Sequence, residues 1–266
     1  MAHSPGLLAV VRSEWIKFRS VRSTVIGTLI MLILTIGIGV LIGLAVKGHL
    51  ASMNPVERAS LDPIQLATGG ILFAQFAVGV IGALVITAEF SSTSIRTTLA
   101  AVPNRLQLIT AKGIVLSSVL FVVGEIACFI AYFDGALIFH GTIAALPSLS
   151  QGKTLQAVLL GGVYLTLMGL FGFGLGLILR QSAGSISTYT SLLLILPILV
   201  FLLPSSWQNS ITRYEPSVLG QAMRSTTGVL RGGTPVFSTW ESAAILAAYC
   251  VVVLGAGVVL MQRRDA

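Results

Sequence analysis

Side chains able to do chemistry are scarce in this sequence: nine acidic residues and three histidines are spread over 266 positions. The one with most to explain is Glu125, near the middle of an apolar run from Leu106 to Ile138. A carboxylate at mid-bilayer costs about 2.5–3.5 kcal/mol, so it must face a partner helix or a polar cavity, or stay protonated. Two roles are open to it: lining a substrate path, or a structural hydrogen bond to a neighbouring helix. Asp134 lies nine residues on and half a helical turn out of phase, so the two do not form a carboxylate pair. Its depth places it near the far membrane interface.

Other chemistries are set aside on spacing. Gln151-Gly152-Lys153-Thr154 looks like the tail of a phosphate-binding loop, but Pro147 stands where the first glycine belongs. His3, His49 and His140 lack metal-ligand spacing, and no metal site is expected. No Ser/His/Asp or paired-carboxylate arrangement stands out, so no catalytic residue is assigned. Serines and threonines inside apolar runs are expected to bond a carbonyl one turn back. Glu241 completes the capping box Ser238-Thr239-Trp240-Glu241 and reads as a helix start.

The elements that must position these residues follow from composition. The chain is 55% apolar and 9% charged, and its mean hydropathy is +0.95. A water-soluble domain carries about 25% charged residues, so this is an integral membrane protein. Its net charge of +7 is spread over short segments beside apolar runs, which fits topogenic and lipid-headgroup roles rather than nucleic acid. Cys128 and Cys250 both lie in apolar runs and read as free thiols. The first apolar run begins only at Thr24 and is too long for a signal-peptide core, so it reads as a retained span.

The expected architecture is all-α, a single transmembrane domain over residues 1–266. Spans are expected at about 24–46, 64–87, 108–138, 155–179, 184–203 and 240–261. Residues 4–21 form an N-terminal amphipathic helix: Ser4-Pro5 opens it, and Leu7, Val11, Trp15 and Phe18 recur on one side. Such a helix lies in the interface with Trp15 at headgroup level. Gly39 and Gly43 offer a face for close helix approach. Asn54-Pro55 and Asp62-Pro63 read as helix starts. Lys112 is expected to snorkel to the interface.

Six spans return the chain to its starting side. The termini and the second and fourth connections carry ten Lys and Arg, and the other side carries six. Three of those six sit in the long connection 205–239, where charge weighs less. Both termini and the polar island Glu89–Lys112 are therefore expected to be cytoplasmic. Within that island Ile95, Leu99 and Val102 share a helical face, Ser91 or Ser92 caps the start, and Pro103-Asn104 ends it. A surface helix over about 91–102 serves either as a connector or as a docking helix for a cytosolic partner.

Several stretches together resemble the type-2 ABC exporter permeases, particularly the actinobacterial ones. They are RSEWIKFRSVRST at 12–24, VITAEFSSTSIRTTLAAVPNR at 85–105, VVGE at 122–125 and YEPSVLGQAM at 214–223. The likeness covers essentially the whole chain, and no single piece is a catalytic signature. It implies a permease subunit in a bacterial plasma membrane, paired with a second copy or close relative. Two cytosolic ABC ATPase subunits would bind ATP and Mg, with no cofactor held by this chain. By position, Glu14, Trp15, Lys17 and Arg19 would join Glu89, Ser94, Ile95, Arg96, Thr97, Thr98, Leu99 and Arg105 in the ATPase-coupling region. The resemblance also implies small outer helices around Pro216–Ser225, and the chain lacks the large extracellular domain that some members carry.

The expected function is outward movement of a hydrophobic or amphipathic substrate, such as a drug, lipid or peptide. A proton-coupled secondary transporter using Glu125, and a non-transporting membrane anchor for a cytosolic partner, are the alternatives.

Overall fold

The structure is a computed structural model describing residues 6–91, 104–142, 144–227 and 236–263. All regular elements among them are helical. Six helices are long and apolar enough to cross a membrane, giving an all-α, multi-pass membrane fold.

The amphipathic helix α1 spans Leu7–Ser20. Extended backbone at Val21 turns the chain into the first span, α2, at Arg22–His49. Two short helices follow, α3 at Pro55–Ala59 and α4 at Pro63–Ala67. Both begin as the Asn-Pro and Asp-Pro pairs require. Asn54 and Glu57 form a reciprocal capping box, and the Asp62 carboxylate accepts from the Ile64 and Gln65 amides. The second span, α5, covers Ile71–Ser91. The expected single helix from residue 64 is thus two, broken at Thr68–Gly70.

The break has a steric partner. Residues Leu34–Ile38 of α2 widen into a π-turn, and a Cβ on Gly70 would lie 2.2 Å from the Thr35 carbonyl oxygen. Backbone meets backbone there, which only glycine allows.

The third span, α6, runs over Arg105–Ile138, and Asn104 caps it by accepting from the Gln107 amide. Then come α7 at Gly152–Leu179 and α8 at Ser182–Phe201. Between them Arg180 adopts a left-handed backbone, φ 55°. Helices usually place glycine there. Arg180 is held by its side chain, which donates to the Leu260 carbonyl and lies over the Phe90 ring. The long connection carries α9 at Ser205–Ile211, a short 3-10 turn at Thr212–Tyr214 and α10 at Pro216–Met223. Span six is α11, Thr239–Arg263, and its start is the expected capping box: Ser238 N–H donates to Glu241 Oε2 at 2.9 Å, and Glu241 N–H to Ser238 Oγ at 3.4 Å.

Helix α7 is central, packed against α5, α6 and α11, while α8 and α2 flank α5. Its glycines explain the position. A Cβ on Gly172 would come within 2.3 Å of the Gly79 carbonyl oxygen of α5. Backbones touch without intervening side chains, the means by which helices gain contact where lipid offers no hydrophobic drive.

Candidate functional site

Four charged side chains meet where α1 crosses the ends of two spans. Glu14 and Lys17 sit one turn apart on α1, Glu89 lies in the last turns of α5, and Lys112 is two turns into α6. Lys112 Nζ donates to Glu14 Oε2 at 2.6 Å and to Glu89 Oε1 at 2.7 Å. Lys17 Nζ donates to Glu14 Oε1 and Glu89 Oε1, both at 3.1 Å. Two cations and two anions therefore form a neutral, alternating cluster that joins three elements.

Burial sets its character. Lys112 is 3% exposed, Glu14 5% and Glu89 9%. The expectation that Lys112 snorkels to the interface is corrected: the ammonium turns inward. An apolar flank alone would drive it toward water, but α1 closes over this point and brings two carboxylates with it. Breaking one partner of such a pair leaves a buried charge uncompensated. The Lys17 side chain keeps 42% exposure. Burial pulls its pKa down, but Glu14 and Glu89 outweigh that and hold it above the usual lysine value.

The local sequence explains the alignment. On α1 the inward line is Val10 and Glu14, with Val11 and Phe18 packed partly against the core. Leu8, Trp15 and Ile16 are exposed, as are Arg12 and Arg19. The helix thus presents apolar and cationic groups outward together, as an interfacial helix does.

The expected coupling residues separate into three groups. Glu14 and Glu89 face inward in the cluster, with Lys17 half-exposed at its edge. Trp15 and Arg19 are exposed. Arg105 reaches across to donate to the Met261 carbonyl at the end of α11, 2.7 Å away. Ser91, one of the two expected caps of the surface helix over 91–102, instead ends α5; the rest of that helix, with Ser94, Ile95, Arg96, Thr97, Thr98 and Leu99, lies outside the described residues.

Glu125 occupies a different place, midway along α6. Its carboxyl lies flat on α7 at Gly162, where a Cβ would stand 2.5 Å from Oε1. Both carboxyl oxygens are buried without a hydrogen-bond partner among the described residues. The structural hydrogen bond allowed by the sequence is therefore not made within them.

Sequence reasoning missed a second polar knot, at the opposite end of the bundle. Arg224 is one of the three cations of the long connection 205–239, yet it is 3% exposed. Its Nη1 donates to the Thr68 carbonyl and hydroxyl oxygens, both at 2.9 Å, and its Nε to the Gly220 carbonyl at 3.1 Å. Asp62 Oδ2 accepts from the Thr226 amide and hydroxyl. These bonds fasten the end of α10 to the break before α5. Deeper in, Tyr164 donates to the Gln75 side chain and Tyr189 to the Gln75 carbonyl. The available signal was thin: a lone arginine directly after a short apolar helix.

The chain matches no protein-family model, and no curated protein matches it. Its class rests on the fold: a six-span, all-helical membrane protein with an ion-paired amphipathic helix at one end.

Proposed function

We propose that this chain is the permease subunit of an ATP-driven ABC exporter, energised by separate cytosolic ATPase subunits and working as a pair of permeases. The observation that carries the reading is the Glu14–Lys17–Glu89–Lys112 cluster. Glu89 lies in the last turn of α5 and Lys112 two turns into α6, the helices on either side of residues 92–103 in sequence, and both residues are bonded to α1. A force applied to that segment reaches α1, α5 and α6 together. That linkage suits a subunit moved from outside by a partner, and the resemblance supplies the partner.

On this reading Trp15, Arg19 and the residues Ser94 to Leu99 meet the ATPase on the cytoplasmic side. Glu14 and Glu89 position the two contact elements relative to each other. The substrate is hydrophobic or amphipathic and moves outward. Co-expression with a candidate ABC ATPase followed by co-purification tests the reading. Arg96→Glu and Leu99→Asp should each weaken complex formation and lower stimulated ATP hydrolysis. Unchanged values for both would sink the docking role.

Glu125 supports a second reading, a proton-coupled carrier, because its two buried oxygens have no partner among the described residues. Gradient-driven transport by the chain alone in liposomes, lost in Glu125→Gln, would favour it. Full transport by Glu125→Gln would remove it.

A further inference from the structure

Beside the ion cluster a cavity of about 520 Å³ opens between α1, the start of α2 and the last turns of α5. That volume lies within the usual range for small-ligand sites, about 300–1,000 Å³. Ile16, Val21, Leu84 and Val85 give it apolar walls, and Lys17 and Glu89 stand at its polar end. The place matters: the cavity lies where an interfacial helix turns into a spanning one, the depth at which headgroup meets acyl chain.

We propose that this cavity binds a zwitterionic phospholipid whose headgroup carries a primary ammonium. The polar end holds charges of both signs in balance, two lysines and two glutamates. A purely anionic headgroup would find the half-exposed Lys17 but also two carboxylates with no cation to spare. A purely cationic amphipath would be opposed by two ammonium groups. A zwitterion meets both demands, with its phosphate on Lys17 and its ammonium toward the carboxylates.

A second observation calls for a hydrogen-bond donor on the headgroup. Glu89 is 9% exposed, and its Oε2 atom is buried without a hydrogen-bond partner among the described residues. The terminal torsion of a glutamate is soft, so a small turn offers Oε2 to a donor in the cavity. A primary ammonium supplies one; a quaternary ammonium has none. The acyl chain then runs between Val21 and Leu84–Val85. This inference rests on the spanning fold and is independent of the exporter reading.

The test uses the full chain, purified in detergent and stripped of lipid. Native mass spectrometry follows retention of phosphatidylethanolamine, phosphatidylcholine and phosphatidylglycerol of matched acyl chains. One charge-assisted hydrogen bond corresponds to a preference of about tenfold for phosphatidylethanolamine over phosphatidylcholine; phosphatidylglycerol, which keeps hydroxyl donors but lacks the ammonium, should also be retained less. Equal or better retention of either competitor overturns the proposal. Ser23→Trp, which fills the cavity from an exposed lining position, should abolish the preference while the thermal transition stays in place. A retained preference overturns the assigned site. Should that variant unfold, a phosphatidylethanolamine with a photoreactive group high on its acyl chain decides on the unaltered protein. Cross-links at Val21, Leu84 or Val85 support the site, and cross-links confined elsewhere overturn it.

Discussion

Lys112 is the residue on which the α1 end of the bundle turns. Its ammonium is bonded to two carboxylates from two other elements. Lys112→Met removes the cation and leaves Glu14 and Glu89 buried against Lys17 alone. The expected loss is about 3–5 kcal/mol, typical of breaking one side of a buried ion pair. A thermal unfolding series in detergent should show it, with part of the loss recovered when Glu14→Gln is added. Equal melting of Lys112→Met and the unaltered chain would contradict the burial. At Gly162 the constraint is steric. Gly162→Ala places a methyl 2.5 Å from Glu125 Oε1, at the movable end of that side chain, so the cost falls at the low end of the overpacking range, about 1 kcal/mol. Adding Glu125→Ala should relieve it, so the two substitutions will be non-additive in the same melting assay.

At the scale of the element, α1 is held by charge as well as by its apolar side. Glu14 and Glu89 keep the Lys17 pKa above its ordinary value of 10.5. A group whose folded pKa is raised contributes fully below the unfolded value and loses its contribution as pH climbs through the folded one. Attachment of α1 should therefore be flat through neutral pH and weaken only above the ordinary lysine range. Trp15 fluorescence in a chain carrying Trp207→Phe and Trp240→Phe reports this; a transition near neutrality would show that Lys17 does not govern it. The start of α11 gives a smaller case. Ser238→Ala removes the hydroxyl that caps Glu241 N–H and should cost about 1 kcal/mol.

These elements show what the sequence displayed and what it hid. The capping box at Ser238, the helix starts at Asn54 and Asp62 and the six apolar runs are local signals, each spelled within a few residues, and the structure contains them all. The inward turn of Lys112 and the burial of Arg224 are not local. Glu14 and Lys112 are separated by 98 positions, and Arg224 and Thr68 by 156. Nothing near either cation in sequence announces its partner.

Across the whole molecule, orientation in the membrane is the property most open to direct test. The native thiols, Cys128 and Cys250, are buried, so introduced cysteines will dominate labelling. Ser94→Cys and Ser210→Cys are separated by three of the spanning helices and should react with an impermeant maleimide from opposite sides. Only Ser210→Cys should label in intact cells, in line with the charge asymmetry of the connections. Labelling of Ser94→Cys from outside would invert the topology.

The sequence by itself determined an all-helical, multi-pass membrane fold, with six helices among the described residues long and apolar enough to cross, because a polypeptide with so few charges must satisfy its backbone internally in lipid. It also marked the helix starts at Asn54, Asp62 and Ser238, because caps and prolines act over three or four residues, but not the start of the second span at Ile71. Only the tertiary structure decided which charges are structural. Whether a lysine reaches out to water or inward to two glutamates depends on which helix covers it. That choice was made by α1 folding back across the ends of α5 and α6.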